Sequence, residues 1–128
     1  MIKLKGGCLC GAVRFEFTGE TRQRFVCHCR DCQRSSGSLF HAGVAVPRTG
    51  FKLISGELKT YRSLADSGRT IERKFCPTCG SGVLNEPSVW PDRVVIRLGA
   101  LDEPSAIEPT MELYAGSRAH WLAVQTST

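Results

Sequence analysis

The chain has 128 residues and a mass of 14.0 kDa, which suits a single domain with its own core. Its hydrophobic fraction of 41% and charged fraction of 23% are those of an ordinary soluble globular protein, and no run approaches the roughly 20 apolar residues of a membrane-spanning helix. The net charge of +5 favours acidic partners, which include nucleic acid, anionic lipid surfaces and small carboxylates. The basic residues are scattered with no block of five or more, so the charge alone does not choose the partner, and we do not expect nucleic acid or a membrane.

The N-terminal sequence MIKLKGGCLC lacks the apolar stretch of a secretory signal peptide. We therefore expect a cytoplasmic protein, in which thiols stay reduced. The chain contains seven cysteines, an odd number that would leave one thiol over in a full set of disulfides. Both observations favour metal binding over disulfide bonds as the role of the cysteines.

Short strands separated by turns dominate the pattern along the chain. Residues 12–18 alternate, with Val13, Phe15 and Phe17 on one face, which is the period of a half-buried strand. Further short segments bounded by Gly, Pro, Ser or Asp are predicted as strands at residues 40–46, 51–54, 70–75 and 94–98. Helices are predicted at residues 30–36 and 58–65. The sequence therefore predicts a mainly β domain with few short helices and a polar C-terminal tail at residues 125–128.

The segment Cys76-Pro77-Thr78-Cys79-Gly80 has the composition and the spacing of a zinc knuckle. Two residues between the sulfurs let both thiolates face one zinc ion about 2.3 Å away. A glycine after the second cysteine permits a backbone conformation that turns amides toward the sulfurs. A redox-active C-x-x-C motif would require a following helix, whereas the Gly-Ser-Gly that follows here starts helices poorly.

A structural zinc site needs four ligands, so the knuckle needs two more. The candidates are Cys8 and Cys10, which lie between glycines, and the group of Cys27, Cys29 and Cys32 (the three-cysteine cluster). Taking two ligands from this group of three would leave its third cysteine without a metal ion and would leave Cys8 and Cys10 without a role. Pairing Cys8 and Cys10 with Cys76 and Cys79 (the four-cysteine cluster) leaves the three-cysteine cluster complete. This division gives one closed site and one site with three protein ligands.

Three protein ligands and a vacancy are the usual arrangement of a catalytic zinc ion. Three thiolates around one Zn²⁺ ion give the site a net charge of −1, which makes the metal a poor Lewis acid for activating water. The same site suits a substrate thiol, so the pattern indicates thiol chemistry rather than hydrolysis. An alternative is that His28, His41 or His120 fills the fourth position and closes the site.

The motifs GGCLCGAVRF, CHCRDCQRSSGS, FCPTCGSGV and LGALDEP, with Trp121 near the end, resemble the family of glutathione-dependent formaldehyde-activating enzymes and centromere-protein-V-like proteins. The resemblance covers residues 2–124 and implies one zinc-binding domain, built of small antiparallel β-sheets that meet like a tent around a structural zinc ion. It implies two Zn²⁺ ions per chain. The structural ion is placed on Cys8, Cys10, Cys76 and Cys79, and the catalytic ion on Cys27, Cys29 and Cys32.

The founding activity of that family is condensation of formaldehyde with glutathione to S-(hydroxymethyl)glutathione, a carbon–sulfur lyase reaction. The resemblance implies that a substrate thiol occupies the open position beside the three-cysteine cluster and attacks a small aldehyde. Arg30 and Arg34 are candidate anchors for the carboxylates of glutathione. Residues 50–69 and 85–92 are expected to wall the pocket. Two other classes stay open, namely a zinc-stabilised interaction module and a thiol-based redox or metal sensor.

Overall fold

The computed structural model describes residues 1–65 and 68–126, so the predicted tail at residues 125–128 lies partly outside the described residues. The strands are β1 (Ile2–Gly7), β2 (Arg14–Gly19), β3 (Arg24–Cys27), β4 (His41–Pro47), β5 (Phe51–Ser55), β6 (Lys59–Leu64), β7 (Thr70–Phe75), β8 (Gly82–Pro87), β9 (Arg93–Arg97) and β10 (Met111–Leu113). Helix α1 spans Arg30–Ser36. Short 3-10 turns cover Arg48–Gly50, Leu98–Ala100, Pro104–Ala106 and Ala115–Ser117. No helix in the described ranges has the length and the apolar character that crossing a bilayer requires.

The strands form two sheets, which confirms the prediction of a mainly β fold. The smaller sheet has the order β1-β2-β5 and is antiparallel throughout. The larger sheet has the order β10-β3-β4-β9-β8-β7-β6. All of its pairs are antiparallel except β10 and β3, which run parallel. This pair departs from the expected antiparallel arrangement, because a long connection rather than a hairpin joins the two strands and permits parallel pairing.

The two faces of the larger sheet differ, since successive side chains along a strand point to opposite sides. One face packs Val44 and Ile96 against Phe15 and Phe17 of the smaller sheet and forms the main core. The opposite face carries a second apolar cluster, which consists of Phe25, Cys27, Ala45 and Val95. This second face positions the candidate site, because the first of the three cysteines lies on it.

The five predicted strands correspond to β2, β4, β5, β7 and β9, with ends shifted by at most two residues, and the helix at residues 30–36 has the predicted bounds. The second predicted helix, at residues 58–65, is wrong because this segment contains strand β6. Strand β6 pairs with β7 along its whole length, and Arg62 forms an ion pair with Glu72 across the two strands at 2.8 Å. Most of its side chains are exposed, so the segment lacks the alternation that marks a strand. Pairing with a neighbour overrides its weak local preference.

Gly43 of β4 lies where side chains from three strands converge on the site face. A Cβ atom there would be 2.7 Å from Val95 Cγ1, 2.8 Å from His41 Cε1 and 3.2 Å from Phe25 Cζ. We expect Gly43→Ala to lower the free energy of unfolding by about 1–3 kcal/mol, because overpacking displaces its neighbours. Chemical denaturation measures the loss. Gly99→Ala is the matched control, since its added Cβ would meet no atom within 4 Å. Equal denaturant concentrations at the midpoint of unfolding for the two variants would contradict the packing argument.

Candidate metal centres and an adjoining cavity

The four-cysteine cluster brings together two segments that are distant in the sequence. The sulfur atoms of Cys8, Cys10, Cys76 and Cys79 all lie within 4.8 Å of one another. The Sγ atoms of Cys8 and Cys10 are 3.6 Å apart, and those of Cys10 and Cys76 are 3.8 Å apart. Four sulfurs placed tetrahedrally at the usual distance from a zinc ion are separated by about 3.8 Å. The cluster therefore fits one tetrahedral metal ion.

Tight turns position these cysteines. Gly80 has a φ angle of +78°, in the left-handed region that glycine adopts readily. Its N–H donates to the carbonyl oxygen of Cys76 at 2.8 Å, which closes the knuckle between β7 and β8. The hydroxyl of Ser81 lies 3.1 Å from the Sγ atom of Cys79. This hydrogen bond lowers the pKa of Cys79 to about 5, which favours the thiolate form that a metal ion binds.

The three-cysteine cluster forms where β3 leads into α1. Cys27 ends β3, and Cys29 is the N-cap residue of α1, where its Sγ atom accepts a hydrogen bond from the N–H of Cys32 at 3.3 Å. The three sulfur atoms lie within 4.8 Å of one another. A hydrogen bond with Cys32 lowers the pKa of Cys27 to about 6, and the same contact raises the pKa of Cys32. The arrangement favours the thiolate form of Cys27, and the cluster offers three ligand atoms to a metal ion.

Neither group of ligand atoms includes a histidine from the described part of the chain. His28 is completely buried, and its Nε2 atom lies 2.9 Å from Glu112 Oε1. His41 lies on the site face, where its Nε2 atom is 3.5 Å from Asn85 Nδ2. Burial lowers the pKa of His41 to about 3, so its imidazole is neutral at physiological pH. His120 is exposed. The three histidines weighed from the sequence thus lie outside both clusters.

A cavity of about 490 Å³ opens beside the three-cysteine cluster, and all three of its cysteines line it. Much of the remaining wall is apolar, with Phe25, Trp90, Val95 and Leu113 among the lining residues. The rings of Phe25 and Trp90 meet edge to face, with their centroids 6.2 Å apart. Sites for small molecules commonly have volumes of about 300–1,000 Å³ and mostly apolar walls. The cavity can therefore hold a small organic molecule in contact with the cysteines.

The two arginines predicted as anchors occupy different positions relative to this cavity. Arg30 lines it, and the guanidinium donates to the side-chain oxygen of Gln33 within α1. Arg34 lies in the last turn of the helix, is exposed, and does not belong to the cavity wall. Sequence analysis did not single out Gln33. Its Nε2 atom donates to the carbonyl oxygens of His28 and Ser117, and these hydrogen bonds connect α1 to two loops.

The two predicted wall segments contribute unequally. Residues 85–92 supply several lining residues, namely Asn85, Pro87, Val89 and Trp90. Among the described residues of the segment 50–69, only Ala65 reaches the cavity, because most of that segment forms β5 and β6. Sequence analysis missed Arg73 of β7, which also lines the cavity. The alternation along β7 could have indicated this position, because it places Arg73 on the same face of the strand as Ile71.

The fold and the two clusters define a class of protein, a mainly β domain that could hold metal ions, with one closed cysteine site and one site that opens on a cavity. The sequence profile described as "Glutathione-dependent formaldehyde-activating enzyme" matches residues 3–117. The chain belongs to this family.

Two relatives and one solved structure show how close the similarity is. A Halomonas elongata protein named "Putative glutathione-dependent formaldehyde-activating enzyme" is 28% identical over 132 residues, which cover 96% of this chain and 82% of that protein. A Sordaria macrospora protein of the same name is 30% identical over 70 residues, which cover 55% of this chain and 29% of that protein. The chain thus matches less than a third of the Sordaria protein. The crystal structure of a Rhodobacter sphaeroides protein shares the fold, with a TM-score of 0.64 and 20% identity over 84% of this chain and 98% of its own.

Proposed function

We propose that the chain is a zinc-dependent carbon–sulfur lyase or synthase that handles a thiol adduct such as S-(hydroxymethyl)glutathione at the three-cysteine cluster. The observation that carries this proposal is the cavity, which opens on all three cysteines and has room for a small organic molecule. Membership of the family supports the class of reaction. The names of the two relatives support glutathione as the thiol.

Both clusters suit zinc, since zinc sites in proteins are commonly built from thiolates. Cys8, Cys10, Cys76 and Cys79 would hold a structural ion. Cys27, Cys29 and Cys32 would hold the second, catalytic ion and leave a position for a substrate sulfur. When bound there, zinc supplies positive charge that stabilises a thiolate relative to a thiol.

The residues of the chain bind and orient the reactants. Phe25, Trp90 and Leu113 present an apolar wall beside the cysteines, which limits the access of water to the reacting groups. Arg30 would pair with one carboxylate of glutathione from the cavity wall, and a similar role for Arg34 stays a prediction. In the direction of synthesis, the thiol sulfur forms a bond to the aldehyde carbon. The carbonyl double bond becomes a single bond, and the thiol proton ends on the oxygen as a hydroxyl.

Exchange of ¹³C-formaldehyde with its glutathione adduct tests the proposal. The adduct also forms without a protein, so the measured quantity is the rate of exchange between free and adduct carbon in NMR magnetisation-transfer experiments. We expect the zinc-loaded chain to raise this rate in proportion to its concentration, because the thiol and the aldehyde meet in one cavity. A rate equal to that of buffer would contradict the enzyme proposal and favour the interaction module.

A further inference from the structure

We propose that the chain binds a phosphate group in a second cavity, between the guanidinium groups of Arg73 and Arg97. The ligand is free phosphate or the phosphate group of a small monoester. The site is separate from the cavity in which the thiol reaction is proposed, and it does not depend on that reaction.

The second cavity has a volume of about 280 Å³ and lies next to the first one, since Arg73 and Asn85 line both. Its wall also includes Ser35 of α1, the helix that carries Cys32, and Gly80, which closes the knuckle of the four-cysteine cluster. The cavity thus lies between elements that hold the two clusters. Its volume is slightly below the about 300–1,000 Å³ of sites for larger organic ligands, so it suits a small anion.

The wall of this cavity is basic. Arg73, Lys74 and Arg97 line it, and no aspartate or glutamate is among its described lining residues. Lys74 forms an ion pair with Glu86. Neither arginine takes part in an ion pair within residues 1–65 and 68–126, although Arg73 is only 9% exposed. A buried charge is costly unless it is paired, and an anion in this cavity would pair with both arginines.

The two arginines lie close enough to repel each other. Burial and the nearby charge of Arg73 both lower the pKa of Arg97, whereas the charge of Cys32 acts in the opposite direction. The three-cysteine cluster does not balance both arginines, because three thiolates around one Zn²⁺ ion would carry a net charge of only −1. A net positive charge is left over, and an anion between the two guanidinium groups would offset it.

Each guanidinium group has a donor atom available to a ligand. Nη1 of Arg73 donates to the hydroxyl of Ser63, and Nη2 of Arg97 lies 3.5 Å from the hydroxyl of Ser35. Both Nε atoms are buried, but Nη2 of Arg73 and Nη1 of Arg97 keep contact with solvent and make no hydrogen bond with the described residues. A Cβ atom on Gly82 would lie 2.1 Å from Nη1 of Arg97, so this glycine leaves room for the guanidinium.

This set of donors favours phosphate over a carboxylate. Arginine is the residue that matches the oxygens of phosphate best, because its planar group offers several N–H donors in a fixed geometry. Arg73 and Arg97 come from different strands, and the hydroxyl of Ser35 is a further donor beside Arg97. A phosphate group has enough oxygens to accept from all three, whereas a carboxylate has two.

Calorimetry with inorganic phosphate tests the inference on the full, zinc-loaded chain, dialysed free of unbound zinc and held at constant ionic strength. We expect saturable binding of one phosphate per chain, and binding of acetate weaker by at least about tenfold, because acetate forgoes a hydrogen bond to a charged group. Methyl phosphate distinguishes the two sources. Binding as tight as that of phosphate supports a monoester as the ligand, and much weaker binding supports free phosphate. Absence of saturable phosphate binding at millimolar concentration, or equal affinities for phosphate and acetate, overturns the inference.

Three variants assign the binding to this cavity. Arg97→Met removes one guanidinium group and should weaken phosphate binding by at least about tenfold. Gly82→Ala keeps every charge and should also weaken binding, because the added Cβ displaces Nη1 of Arg97, and this variant serves if the first does not fold. Arg62→Met is the matched control, since Arg62 pairs with Glu72 outside the cavity. Unchanged affinity in both site variants, or an equal loss in the control, overturns the assignment.

The phosphate site and the proposed reaction fail in different ways. Accelerated exchange of formaldehyde without phosphate binding would remove the phosphate site and leave the reaction. Phosphate binding that Arg97→Met weakens, without accelerated exchange, would remove the reaction and leave the phosphate site.

Discussion

Cys76→Ser is expected to prevent stable folding of the chain. A bound structural zinc ion contributes about 10–16 kcal/mol to the folding of zinc-finger peptides, which is as large as the whole stability of a typical domain at about 5–15 kcal/mol. Cys76 is buried, and it joins a knuckle in one sheet to a turn beside the other. Circular dichroism of the purified variant during heating, together with its zinc content, measures the effect.

Cys29→Ser is the control for this result, because it makes the same chemical change at the other cluster. Serine is a favourable N-cap residue, so it can replace Cys29 at the start of α1 without exposing the helix end. We expect this variant to unfold in a cooperative transition close to that of the unaltered chain. Equal loss of folding in both variants would contradict the division into a structural and a catalytic ion.

The same Cys29→Ser variant is expected to lose catalysis of formaldehyde exchange. Changes around the ligands of a metal site already lower affinity or activity by about 10–100-fold, so loss of a ligand should lower the exchange rate by at least about 100-fold. Native mass spectrometry should find one zinc ion fewer than in the unaltered chain. Magnetisation-transfer NMR measures the rate.

A second outcome would contradict this expectation. If Cys29→Ser retained two zinc ions and the full rate, the three-cysteine cluster would not be the reaction site. Ser38→Ala provides a control just after α1, because Ser38 is exposed and is not a ligand. Its rate should stay close to that of the unaltered chain.

The strands that sequence analysis recovered are those with a clear pattern of their own. Strand β2 alternates buried Phe15 and Phe17 with polar residues, so its period is visible in isolation. Strand β10 has three residues, and it exists because it pairs with β3 far away in the sequence. Strand β6 was predicted as a helix, since nothing in its exposed residues indicates the neighbour that holds it. Long-range pairing, which local patterns do not contain, accounts for these failures.

The cysteines of the site were easier to predict than the residues around them. Metal ligands come in fixed numbers and short spacings, so counting thiols was enough to suggest the two groups. Arg73 carries no such pattern, because an arginine on a short strand is usually a surface residue. It lies on a strand that pairs with β8, and it lines a cavity whose wall also includes residues of β3, β9 and α1. None of these contacts is local in sequence.

The four-cysteine cluster constrains the order in which the chain can assemble. Cys8 and Cys10 lie between β1 and β2, and Cys76 and Cys79 lie between β7 and β8. The sulfurs of Cys10 and Cys76 meet across 66 positions of sequence. During synthesis the first hairpin therefore leaves the ribosome long before its two remaining sulfur partners exist. Closing so large a loop carries an entropic cost that metal binding offsets only when the knuckle has formed. Capture of an ion by all four sulfurs is thus expected late in folding, and under the proposed zinc assignment a shortage of zinc would leave the two sheets without this link.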